Sequence, residues 1–130
     1  MSKPVDLGSL KVGHNIIIDN EPCRIVELEK SKPGKHGSAK VRLVAMGIFD
    51  NVKRSLVGPA DNKVEVPIID KKTGQVLSIS EDSASVMDSE TLQVIEMPLP
   101  KDEAVRSRLE PGVSVEYWNI INRFLLVGIK

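Results

Sequence analysis

Cysteine, histidine and aromatic residues are all scarce in this chain of 130 residues. Cys23 is the single cysteine, and His14 and His36 are the two histidines. A zinc or disulfide framework therefore cannot be the basis of the fold. Phe49, Tyr117, Trp118 and Phe124 are the only aromatics, so the core must be built from Val, Ile and Leu. No apolar run approaches the ~20 residues that span a bilayer. The start of the chain, Met1 to Asp6, lacks the apolar segment of a secretory signal. With its lone cysteine, this points to a reducing cytoplasmic setting. Charge of one sign is lacking too: 18 Lys+Arg stand against 18 Asp+Glu. A polybasic nucleic-acid coat would show a large excess.

What is present is the composition of a folded soluble protein, 41% hydrophobic and 28% charged. Its apolar residues come in short, mostly alternating runs between Gly, Pro, Asn and Asp. In the first half the runs are Ile16 to Ile18, Arg24 to Glu29, Ala39 to Met46, Lys53 to Val57 and Lys63 to Val66. Within 39–46, Val41, Leu43 and Ala45 share one face, and Lys40 and Arg42 the other. A period of two broken by turn signals about every ten residues predicts small all-β modules.

The pattern restarts after Pro67. Strands are expected at Ile68 to Asp70, Gln75 to Ile79, Ala84 to Met87 and Leu92 to Glu96, the first two joined by a Lys71-Lys72-Thr73-Gly74 turn. A helix over Lys101 to Leu109 is expected to turn Ala104, Val105 and Leu109 inward and to stop at Pro111-Gly112. Strands at Val113 to Ile120 and Arg123 to Ile129, with Asn122 at their turn, complete the order of an OB-fold barrel. The boundary falls near Ile68 to Asp70, giving domains at 1–68 and 69–130. Modules this small bury only ~60% of their unfolded surface.

The neutral total hides a segregation. Residues 1–68 hold 11 Lys+Arg and 8 Asp+Glu, a charge of +3; residues 69–130 hold 7 and 10, a charge of −3. Between Lys30 and Phe49 there is no acid at all, while Lys30, Lys32, Lys35, Lys40, Arg42 and His36 are all present. In the connecting segment, Pro33-Gly34 suits the centre of a type II turn, and Gly37 adds a second permissive point. Lys35 stands between the two glycines, without bulky neighbours on most sides. Surface hairpins carry lysines for ordinary reasons, so charge alone does not make this a site. It is not a Walker A loop, because Glu29 holds the place of the first glycine and His36 that of Ser or Thr. Nor does Lys35-His36 have an acidic orienter that would make it a nucleophile pair.

Pro22-Cys23-Arg24-Ile25-Val26-Glu27, followed by Ser31-Lys32-Pro33-Gly34-Lys35-His36-Gly37-Ser38-Ala39-Lys40, closely resembles the translation initiation factor 5A family. Proline at position 33, where eukaryotic members usually carry Thr, looks like the archaeal type. The resemblance implies an SH3-like barrel followed by an OB-fold. It also implies a lysine, here Lys35, to which deoxyhypusine synthase attaches a spermidine-derived aminobutyl group, giving deoxyhypusine, or hypusine after a further hydroxylation. No other cofactor is implied. Pro33, Gly34, His36 and Gly37 would form the scaffold of that loop. The expected partners are the ribosome and peptidyl-tRNA, with Lys30, Lys32, His36, Lys40 and Arg42 as RNA contacts. The expected role is support of peptide-bond formation at stalled sites such as proline runs. An unmodified general RNA-binding protein, using the basic loop and the OB face, is the alternative.

The remaining residues read as structural. His14 is expected at a strand start and Cys23 as a small buried hydrophobe. Tyr117 and Trp118 are adjacent in a strand, so one enters the core and only the other can face a base. Glu81-Asp82 and Asp102-Glu103 read as turn and helix-start charges. No acid–base constellation points to an enzyme, and a monomer is expected.

Overall fold

The computed structural model describes residues 2–31 and 39–130. Nearly all of it is β-structure, arranged as two compact units, Met1–Ile68 and Ile69–Lys130.

In the first unit, β2 (Asn15–Ile18), β3 (Glu21–Ser31), β4 (Lys40–Gly47) and β5 (Lys53–Pro59) form an antiparallel sheet in that order. A second pair joins β1 (Ser2–Asp6) to β6 (Lys63–Pro67). Alternation in β4 buries Val41, Leu43 and Ala45 and exposes Lys40 and Arg42. Leu7, Leu10, Ile16, Ile18, Cys23 and Ile25 complete an SH3-like core. Asp19 and Asn20 have φ of 54° and 64°, the paired left-handed geometry that lets a two-residue turn follow the twist of β2 and β3. β1 has no strand signature in the sequence: only Val5 is partly buried and Pro4 lacks a donor. Such a segment becomes a strand only through edge pairing with β6.

The second unit contains β7 (Ile69–Ile79), β8 (Ser83–Asp88), β9 (Val94–Pro98), α1 (Glu103–Arg106), β10 (Ser114–Ile120) and β11 (Arg123–Ile129). Its sheet order is β11-β10-β7-β8-β9, and β9 and β11 approach each other to curl the sheet into a barrel. With α1 between the third and fourth strands, this is an OB-fold. Its core is Val76, Ala84, Val86, Met97, Leu109, Val115, Tyr117 and Leu126. Ile121 and Asn122 form the two-residue turn before β11 with φ of 53° and 61°. A β-branched residue is strained at the first of these positions.

Three sequence expectations need correction. Lys71 to Gly74 is not a turn: β7 runs unbroken, with Lys71 opposite Trp118 and Gly74 opposite Val115. Gly74 is needed for close approach, since a Cβ there would lie 2.6 Å from Val86 Cγ1 and 2.7 Å from the Met87 carbonyl. The helix is four residues long rather than nine, and Ala104 is exposed. Asp102 caps it by accepting from Ala104 N at 2.9 Å. The chain then tightens into i→i+3 turns that carry Leu109 into the core. Leu92 lies outside β9, at φ 61° in the preceding turn.

Candidate nucleic-acid interface

The basic stretch falls on the hairpin formed by β3 and β4. Lys32, Pro33, Gly34, Lys35, His36 and Gly37 lie outside the described residues, which include the stem of the hairpin. Opposite Cα partners across an antiparallel pair share a face. Arg42 is paired with Glu29 on one side and Val57 on the other, and Lys40 with Ser31 and Pro59. These two rows make one outer face, exposed at Lys40 and Arg42, which borders a groove lined in part by Ser55 and Val57. An acid therefore sits across from Arg42, although none occurs between 30 and 49 in the sequence.

Lys30 also lines this groove, but by strand register its side chain belongs to the opposite face. It pairs with Val41, which is fully buried, so it belongs to the core side of the sheet where the strand runs past the end of the core. Its Nζ donates to the Gly8 carbonyl at 2.6 Å. The cause is a β-bulge between Ile25 and Glu27. Strict alternation from the buried Ile25 would put Lys30 outside with Arg42; the extra residue reverses the parity.

The other candidate residues fall into place as structure. His14 is exposed, and its Nδ1 accepts from Lys11 N at 3.2 Å. Cys23 is fully buried and its thiol donates to the Glu21 carbonyl at 3.3 Å. Burial pushes its pKa up, partly offset by the Arg54 guanidinium, so it is not a poised thiolate. Arg54 grips Asp50 through two bonds of 3.2 and 2.8 Å. Asp50 also accepts from Val52 N, and its carboxyl is held at about 2, first by the Arg54 bond. Tyr117 enters the core beside Phe124, with ring centroids 6.1 Å apart. Trp118 takes the outer face, its Nε1 donating to Glu116 at 2.8 Å and its ring under Lys71 Nζ at 5.0 Å.

One group escapes sequence reasoning. Asp88, 3% exposed, accepts a hydrogen bond from the Tyr117 hydroxyl and from the Glu90 and Thr91 amides at 2.8 and 2.9 Å. Asp88-Ser89-Glu90-Thr91 has the composition of an Asx turn, but no local signal pairs it with Tyr117, 29 residues on. Among the described residues, no group of three or more His, Cys, Asp or Glu could hold a metal ion, and no helix is long and apolar enough to cross a membrane.

Two small barrels in series, the first with a long hairpin bearing cations on its outer stem, define a tandem SH3-like and OB-fold protein. The family description "Translation initiation factor 5A-like, N-terminal" matches residues 1–62. Translation initiation factor 5A of Methanococcus aeolicus is 51% identical over 128 residues, covering 98% of this chain and 95% of its own. That of Pyrobaculum neutrophilum is 53% identical over 130 residues, covering 99% and 98%. The solved structure of eukaryotic translation initiation factor 5A from Methanococcus jannaschii superposes with a TM-score of 0.92 at 46% identity, over 99% of this chain and 95% of that one. A family protein from Naegleria fowleri gives 0.79 at 27% identity, over 99% and 98%. The chain belongs to the translation initiation factor 5A family, in its archaeal form, and is a translation factor.

Proposed function

We propose that the protein binds the ribosome and promotes peptide-bond formation at stalled sites, proline runs among them, through a deoxyhypusine or hypusine side chain on Lys35. The observation that carries this reading is the Gly34-Lys35-His36-Gly37 segment, placed between the two strands of a hairpin inside the span that matches the family. The SH3-like domain, residues 1–68, presents that segment; the OB-fold domain is residues 69–130. The protein acts as a cytoplasmic monomer after modification by deoxyhypusine synthase.

The chemistry suits the residues. An amine on a flexible stem is a compact, strongly hydrated cation. Lengthening it adds reach and a second amine, which can lie between tRNA and ribosomal RNA phosphates. The modified side chain holds the acceptor end of peptidyl-tRNA in a reactive geometry and takes no part in bond making, so its contribution is positional. Pro33, Gly34, His36 and Gly37 shape the loop. Lys32, His36, Lys40 and Arg42 contact phosphates around it.

Cosedimentation with ribosomes across a salt series tests this directly. Binding should weaken steeply with salt, and Lys40→Gln/Arg42→Gln should flatten the log–log slope by roughly 1.5, about 0.7–0.9 for each phosphate no longer neutralised. Binding indifferent to salt, or a double variant with an unchanged slope, would contradict the assignment of this face.

A further inference from the structure

The two feet of the segment 32–38 are joined by a chain of hydrogen bonds that leaves the hairpin and returns to it. Lys30 Nζ, just before the segment, donates to the Gly8 carbonyl at 2.6 Å. Gly8 N donates to the Ala60 carbonyl at 2.9 Å, and Ala60 N donates to the carbonyl of Ala39, just after the segment, at 2.7 Å. The intermediary is itself fixed. Leu7 in the 3-10 turn Leu7–Ser9 is fully buried, and its N donates to the Asn62 carbonyl at 2.8 Å. Position 8 accepts only glycine comfortably: a Cβ would lie 2.8 Å from Ala60 Cβ and 3.2 Å from the Ala60 carbonyl.

We propose that Lys30 is a positioning residue that braces the base of the modification loop through Gly8, Ala60 and Ala39, and is not one of the RNA contacts. Strand register and hydrogen bonding place Lys30 alike. The bulge at Ile25/Glu27 sends Lys30 to the opposite side of the sheet from Lys40 and Arg42, and there its ammonium is engaged by a backbone carbonyl. Holding both feet at a fixed separation narrows the conformations from which Lys35 is presented. Release of the brace lowers the fraction of molecules competent for capture by the modifying enzyme. Apparent affinity falls by that fraction, while the chemistry after capture is unchanged. This inference rests on the reading of Lys35 as the modified lysine.

Lys30→Met removes the donor, and Gly8→Ala breaks the next link without touching any charge. Both, their combination and Lys30→Arg can be made in the full chain and presented unmodified to deoxyhypusine synthase with spermidine, the product read by intact mass. Each single variant is expected to raise KM about tenfold with kcat retained. The combination should be no worse than either alone, since both cut the same chain. Lys30→Arg should retain the wild-type KM. Amide exchange at Gly8 and Ala60 should quicken in Lys30→Met, and the salt slope of ribosome binding should stay at the wild-type value. Unchanged KM in both single variants overturns the proposal, as does unchanged amide exchange in Lys30→Met. A salt slope that flattens in Lys30→Met but not in Gly8→Ala makes Lys30 an RNA contact instead. If wild-type Lys35 is not modified at all, the functional reading fails, and amide exchange alone decides whether the brace exists.

Discussion

Lys35→Arg is expected to reduce the protein's stimulation of peptide-bond formation on a proline-run message at least roughly a hundredfold, to the level without factor. Thermal stability should remain that of the wild type. The substitution keeps a cation in place, so simple loss of charge is not what is tested. It removes the primary amine that, on the proposed reading, receives the aminobutyl group, because guanidinium is neither the same nucleophile nor the same shape. What disappears is reach. A side chain that stops short of the peptidyl-tRNA end cannot restrict its motion, and misplacement by an ångström suffices for losses of about a hundredfold. The measurement is dipeptide or tripeptide formation in a reconstituted archaeal system, with fully modified wild-type protein as reference. Full activity of Lys35→Arg would remove the modified lysine from the account.

The second large effect is on stability, and it sits in the OB-fold. Tyr117→Phe should destabilise that unit by about 1–3 kcal/mol, because a buried acceptor on Asp88 loses its donor. Asp88→Asn should cost a similar amount, since the two backbone amides and the hydroxyl would all face a weaker acceptor. The acid limb carries a sharper signature. The Tyr117 hydroxyl, with the Thr91 amide next, holds the Asp88 carboxyl at about 2 against an ordinary value of 3.8. A carboxylate depressed by folding contributes stability that is complete above the unfolded value and lost as pH falls through the folded one. Unfolding between pH 5 and 2, followed by the fluorescence of Trp118 as the sole tryptophan in the chain, reads this unit. Wild-type stability should fall across that window, and Asp88→Asn should flatten the fall. Asp50 is held near the same value in the other unit, by Arg54, and is common to wild type and Asp88→Asn, so the comparison isolates Asp88. Superimposable pH profiles for wild type and Asp88→Asn would show that the buried pair contributes nothing.

Much of this molecule is legible in the order of its side chains, and the exceptions have physical causes. β4 can be read residue by residue, because one of its faces is buried and the other carries charge. β1 cannot, since a strand with one partly buried residue and a proline owes its conformation to its partner β6. The Lys71-Lys72-Thr73-Gly74 segment has turn composition, yet its glycine serves the close packing of β7 on β8 and the lysines lie along a continuous strand. The same limit applies at the candidate site. A run of six basic or titratable residues within 30–42 is plain in the sequence, but which face each one takes depends on a single bulged residue near Val26. That bulge separates Lys30 from Lys40 and Arg42, and pairing across the strands sets Glu29 opposite Arg42. Tyr117 and Asp88 meet only because β8 and β10 both pair with β7, a fact of topology with no local trace.

The proposed function requires modification of one lysine, and intact mass of the protein isolated from its native source, followed by peptide mapping, tests that most directly. An aminobutyl mass, with or without one added oxygen, localised to Lys35 is the result expected. An unmodified Lys35 in native material would contradict it and leave a basic hairpin that binds RNA without a specialised side chain.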